Sequence, residues 1–302
     1  MESKVKILHT QIDIGTEKPF RVIHISDNHL TLVNENDNEK KHALCQVRKK
    51  AFPLQRAVLE TAKDISRKEG LPILCTGDLI DFVSDANLKA AEIFMKETNT
   101  LFITGNHEFS QYVGEAKEDA AYREKSLAKV ERAFGGDVRF VSRIINGVNF
   151  VGIDDGYFQF DGWQLNKLKD EVEKGYPVVL LLHVPLFEYE LFKHVMYNGQ
   201  SPETGTPVCN SAELVGVSES YMKDYALRRK EMQLPTEETM KTVKYIENSS
   251  RIKAGGTLAF RSYCKNNERY SAGHNRLRNG KGHRICLTMK QGGIFVDFLP
   301  FE

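Results

Sequence analysis

The sequence has no long apolar run. Its longest, Val178 to Leu182, is interrupted by His183, well short of the roughly 18 residues that a membrane span needs, so no membrane partner is expected. It has no excess of one charge either. The 42 Lys and Arg face 41 Asp and Glu for a formal charge of +1, which argues against extended nucleic acid as a partner and leaves a short phosphate ligand open. Paired cysteines are missing. Cys45, Cys75, Cys209, Cys264 and Cys286 are odd in number and never in CxxC spacing, which speaks against a disulfide framework or a thiolate zinc site and for buried or incidental thiols. No apolar stretch follows Glu2, Lys4 and Lys6, so no leader is expected and a cytoplasmic location follows by default. Internal repeats and low-complexity tracts are also lacking.

What is present is a globular composition. With 41% apolar and 27% charged residues over 302 positions, the chain can bury a sizeable core, and it reads as one domain over residues 1–302. Short runs rich in Val and Ile alternate with amphipathic segments, the pattern of a layered α/β domain. Arg21 to Ser26, Ile73 to Thr76, Leu101 to Thr104 and Val178 to Leu182 read as buried strands. Asn34 to Lys50 is a polar stretch read as loop. Leu54, Val58, Ala62 and Ile65 recur at helical spacing up to Gly70 and Pro72. Further helices are expected at Asp85 to Glu97, at Ala116 to Phe134 and around Leu165, Leu168 and Val172. Val138 to Ser142 and Asn149 to Ile153 flank Asn146 and Gly147, a hairpin signal. Composition shifts from Met196 to Ser250, where helices are expected at Glu219 to Gln233 and Thr236 to Asn248. Residues 196–250 therefore read as an insertion or lid elaborating the domain. Strand-like pieces return at Arg284 to Met289 and Ile294 to Phe298.

The chemistry-bearing residues sit at strand ends, where open α/β sheets bind their ligands. The first strand ends in Asp27, Asn28, His29. The second ends in Gly77, Asp78, Leu79, Ile80, Asp81, and the third in Gly105, Asn106, His107, Glu108. A later strand ends in His183. Taken singly, each is an ordinary strand-to-loop junction; the four in this order mark a site. Oxygen and imidazole donors without thiolates suit manganese, iron or zinc. The basic runs Arg48, Lys49, Lys50 and Arg228, Arg229, Lys230 read as solvated faces. Trp163 reads as a packed helix start, and His24 as facing the sheet interior or a neighbour.

DxH, GDxxD, GNHE and a strand-terminal His in this order resemble the calcineurin-like metallophosphoesterases, over Arg21 to about Ile285. The resemblance implies a four-layer α/β/β/α sandwich with a helical insertion and two divalent or trivalent transition-metal ions (Mn, Fe or Zn) at the strand ends. It implies that Asp27 and His29 bind one metal, that Asp78 bridges both, and that Asn106 and His183 bind the other. His107 would be the catalytic group, stabilising the transferred phosphoryl oxygens and protonating the leaving group. Glu108 stands where many members have Asp, and Asp81 is not normally a ligand. The implied activity is hydrolysis of a small phosphorylated substrate, a phosphomonoester or small phosphodiester, by a metal-bound hydroxide.

The family's closing GHxH motif has no intact copy. One alignment places Thr257 and Ala259 at its two histidines. The rival places His274 and Arg276 there. The first is preferred for its flanks. Either way ligands are lost, because alanine cannot ligate and a threonine hydroxyl is a poor substitute for imidazole. The competing expectation is therefore a catalytically impaired or non-catalytic relative that binds phosphate or a partner.

Overall fold

The computed structural model describes residues 5, 7–14, 16, 18–113, 120–189, 192, 214–223 and 234–254, with strand backbone at 264–265, 268–269 and 294–299. One sheet holds β1 (Leu8–Asp13), β2 (Phe20–Ile25), β3 (Ile73–Thr76), β4 (Thr100–Ile103) and β11 (Ile294–Leu299), in the order β1-β11-β2-β3-β4. Within it β2, β3 and β4 are parallel, while β11 runs antiparallel to β2. The second sheet, β5-β6-β7-β8, is made of β5 (Phe140–Ile145), β6 (Val148–Ile153), β7 (Val178–Leu181) and β8 (Ile252–Ala254). A short hairpin pairs β9 (Cys264–Lys265) with β10 (Glu268–Arg269).

Alternation along each strand builds the layers, since successive side chains point to opposite faces. Val22, Leu74, Leu101 and Ile103 of the first sheet meet Val148, Phe150, Val179 and Leu181 of the second in a core between the sheets. The intervening residues Ile23, Ile25, Ile73, Cys75 and Phe102 face outward onto α2 (Gln55–Glu69), α3 (Asp85–Glu97) and α4 (Ala120–Phe134). On the other side Val151, Ile153, Val178 and Leu180 pack with Leu168 of α5 (Gly162–Glu173) and with Val243 and Ile246 of α6 (Glu237–Asn248). The result is the expected α/β/β/α stack, each buried Leu, Ile or Phe side chain being worth about 1.5–3 kcal/mol.

Local signals set the boundaries. Gly70 ends α2 in the left-handed conformation, with φ 69°. Ser84 caps α3 by accepting from Asn87 N at 3.1 Å. Asn146 and Gly147 join β5 to β6 with φ of 48° and 79°, the paired positive values of a type I′ turn. His24, on the face of β2 it shares with Val22, is fully buried, the first of the two expectations for it.

One expectation is corrected. The polar stretch 34–50 is not a loop: α1 spans Glu39–Ala51, capped by Asn38, which accepts from Lys41 N at 3.1 Å. Periodicity missed it because the helix buries a single residue, Cys45. Near 219 the structure has one 3₁₀ turn, Glu219–Tyr221. Met222 and Lys223 continue as helix, while residues 224–233 of that expected helix, the 284–289 strand, and Thr257, Ala259, His274 and Arg276 all lie outside the described residues. So do residues 196–213 of the expected insertion, whose far end supplies α6 to the outer layer. Among the described residues no helix is long and apolar enough to cross a membrane.

Candidate metal centre

Beyond their strand ends the loops after β2 and β3 continue side by side. Asp27 N donates to Gly77 O, His29 N to Asp78 O, Leu30 N to Leu79 O, and Asp81 N back to Leu30 O, at 2.8–3.1 Å. This ladder is bought with left-handed backbone: Asp27, His29 and Asp78 have φ of 49°, 49° and 53°. Such values are uncommon for residues other than glycine and cluster at functional sites. The loop after β4 closes over the pair through Glu108, whose fully buried carboxylate accepts from Asp78 N and Gly105 N at 2.8 Å and from Ile80 N at 3.2 Å. A side chain at Gly105 would overlap the Asp78 carboxylate and the His183 ring, and only glycine fits so close an approach.

Three imidazoles converge on Asp78. His29 donates Nδ1–H to Asp81 Oδ1 at 2.9 Å, His107 to Asp81 O at 2.8 Å, and His183 to Thr76 O at 2.8 Å. Because each acceptor is a carboxylate or carbonyl oxygen, the proton sits on Nδ1 in every neutral ring and the Nε2 lone pair is left free. All three Nε2 atoms face Asp78 Oδ2, at 3.7, 4.0 and 3.5 Å. Asp27 Oδ1 lies 3.9 Å from His29 Nε2. Two overlapping groups, His29, Asp78, His107 and Asp27, Asp78, His183, each keep their donor atoms within 4.8 Å of one another. Anchored Nδ1 and converging Nε2 is the arrangement of metal-ligating histidines.

The charges point the same way. Burial alone would lower the His107 and His183 imidazoles, but the carboxylates outweigh it, Asp78 first, and push each up to about 10. Burial would raise Asp78, yet His183, His107 and His29 hold it below the usual carboxylate range. Glu108 is pushed up to about 7 by burial and then by Asp78. Asp155, fully buried, is pushed up to about 7 by burial. The donor set is thus imidazole and carboxylate in an acidic, largely buried setting, which fits divalent transition-metal ions.

Of the residues predicted from sequence, the structure brings together Asp27, His29, Asp78, His107 and His183. Asn106 lies half-buried in the same loop, next to His107, whose N–H donates to Asp78 Oδ1 at 3.0 Å. Three residues to which the sequence reading gave no part in the site belong here too. Asp155 accepts from His183 N and Val184 N at 3.0 and 3.1 Å and so fixes the turn carrying His183. Asp81 is fully buried beneath two imidazoles, and Arg48 grips it. The reading of Arg48 as part of a solvated face is therefore wrong. Its partner lies 33 residues away, beyond the reach of any local pattern.

An α/β/β/α sandwich with carboxylates and imidazoles gathered at its strand tips is the layout of a metal-dependent hydrolase. The profile of calcineurin-like phosphoesterases matches residues 20–215, and the chain belongs to that family. The family hydrolyses phosphoesters with the help of metal ions. No curated protein matches the chain.

Proposed function

We propose that the protein is a two-metal phosphohydrolase acting on a small phosphorylated substrate, a phosphomonoester or small phosphodiester. The observation that carries this reading is the convergence of three Nδ1-anchored imidazoles on one buried carboxylate. In this reading Asp27 and His29 would hold one ion, Asn106 and His183 would hold the other, and Asp78 would be a ligand of both. When bound, the ions grip phosphate oxygens, acidify the attacking water and offset the charge developing at phosphorus.

The chain's own residues do the rest. Asp81 holds His107 through Nδ1, so that Nε2 points into the centre and can pass a proton to the departing oxygen. Asn106 adds no negative charge where an anionic substrate must approach. Glu108 and Asp155 hold the ligand loops through backbone amides, which keeps donors in place without reorganisation. We take the chain as one domain over 1–302, with residues 196–250 as an insertion or lid elaborating it.

The test is elemental analysis of the purified chain for Mn, Fe and Zn, with turnover of bis-p-nitrophenyl phosphate in added Mn²⁺. His107→Ala is expected to keep its metal and lose about 10²-fold or more in turnover. Loss of metal and turnover together in a folded variant would make His107 a ligand. A second reading, an impaired relative, is motivated by the missing GHxH motif. It predicts one ion or none per chain and no turnover.

A further inference from the structure

Helix α1 is an oddity, a 13-residue helix that buries one cysteine. Its last turn nevertheless reaches the metal centre twice. Arg48 donates from Nε to Asp81 Oδ2 at 2.6 Å and from Nη2 to Asp81 Oδ1 at 2.7 Å, a bidentate fork. Phe52, the residue that ends the helix, stacks on the His29 ring with centroids 4.2 Å apart and planes 28° apart. The Arg48 guanidinium in turn lies over the Phe52 ring at 4.7 Å. One side chain thus fixes the carboxylate that orients His29, and the other fixes the His29 ring face.

We infer that Arg48 and Phe52 are positioning residues that together clamp His29 and Asp81, and through Asp81 also His107. The inference rests on the metallohydrolase reading and goes beyond it. Asp81 Oδ1 lies 2.9 Å from His29 Nδ1 and 3.1 Å from His107 Nδ1. If Asp81 turned about its side chain, His29 would lose its anchor and with it the support for the tautomer that leaves Nε2 free, while His107 would lose the carboxylate contact and keep only the Asp81 carbonyl. A guanidinium fork restricts that rotation because it holds both oxygens in one plane. An ammonium, a single point of charge, does not. Phe52 closes the remaining freedom, rotation of the His29 ring about its own bond.

The experiment is calorimetric titration of metal-free protein with Mn²⁺, comparing wild type with Arg48→Met, Arg48→Lys, Phe52→Leu, Asp81→Asn and the Arg48→Met/Asp81→Asn pair. Both Arg48 variants are expected to lose 10- to 100-fold in Mn²⁺ affinity, the usual scale for groups that orient a ligand. The double variant should lose no more than the worse single one, since Arg48 acts through Asp81. Wild-type affinity in Arg48→Lys, or losses that multiply in the double variant, would overturn the clamp. Arg48→Lys keeps both stem and charge and carries the test should Arg48→Met fail to fold. If wild type itself takes up no Mn²⁺, the metallohydrolase reading falls, and the clamp is judged from imidazole ¹⁵N shifts of the metal-free protein. It stands if His29 is the single Nδ1–H tautomer in wild type and a mixture in Arg48→Met, and falls if the two spectra agree.

Discussion

The network of Arg123, Arg139, Asp154 and Asp161 is set in the same sandwich as the Asp78 centre, yet its charges cancel. Arg123 Nη1 and Arg139 Nε reach Asp154 Oδ2 at 2.8 and 3.2 Å, and both arginines also contact Asp161. Burial would raise Asp161, but Tyr157 and Arg139 hold it below the ordinary carboxylate range. Here the protein supplies its own cations. At Asp78 it supplies imidazoles instead, whose Nε2 protons a metal ion would have to displace. Its nearby guanidinium, Arg48, is committed to Asp81. The difference separates a charge cluster that completes the fold from one that a metal completes.

The largest expected effect lies in the self-neutralised network. Arg123→Met leaves Asp154 and Asp161 short of a partner and should cost about 3–5 kcal/mol, the scale for breaking a buried ion pair. Urea unfolding checks this, and a loss under 1 kcal/mol would erase the contrast. At the centre the same kind of change should act only when metal is present. Asp78→Asn is expected to unfold in EDTA within about 1 kcal/mol of wild type. The gain of about 2.7 kcal/mol that Mn²⁺ at 100 times Kd gives wild type should be missing from it. A variant that keeps this gain would remove Asp78 from the ligand set.

The effect that is smallest near neutral pH concerns a buried group that belongs to neither cluster. Burial lowers the His24 imidazole to about 3, and His24 Nδ1 has no partner among the described residues. The unfolded chain takes up this proton near pH 6.5 and the folded one refuses it until about pH 3. Its contribution to stability is therefore complete above pH 6.5 and declines as the pH falls toward 3, by at most about 1.4 kcal/mol per unit. Denaturation of wild type and His24→Leu between pH 6.5 and 4 should show a shallower slope in the variant, and parallel curves would refute the assignment.

Where local pattern decides structure, the sequence was readable. The spans Ile73–Thr76 and Asp85–Glu97 came out at the expected residues, and the Asn146, Gly147 turn followed from two residues that tolerate positive φ. The strand-tip motifs were readable for a related reason: carboxylates and imidazoles beside glycines at strand ends are costly unless used. What stayed hidden depends on distant partners. Helix α1 is held by Arg48 on Asp81 and Phe52 on His29 rather than by an apolar stripe. Asp155 acts through two backbone amides, contacts that leave no trace in residue identity. Glu108 was noted as a variant of the family pattern, and its role as a staple for three amides emerged only with the loops in place.

The position of β11 bears on how the protein is made. β1 and β2 are close in sequence but never pair, because residues 294–299 lie between them, parallel to one and antiparallel to the other. During synthesis β2 must wait with one backbone edge unsatisfied until residue 299 has left the ribosome, while β5, β6 and β7 can already pair. Nascent chains halted between residues 190 and 290 would carry an open strand edge of the kind that recruits chaperones or a second copy. Emergence of residues 294–299 would close that edge, and with it the sheet from which Asp27 and His29 project.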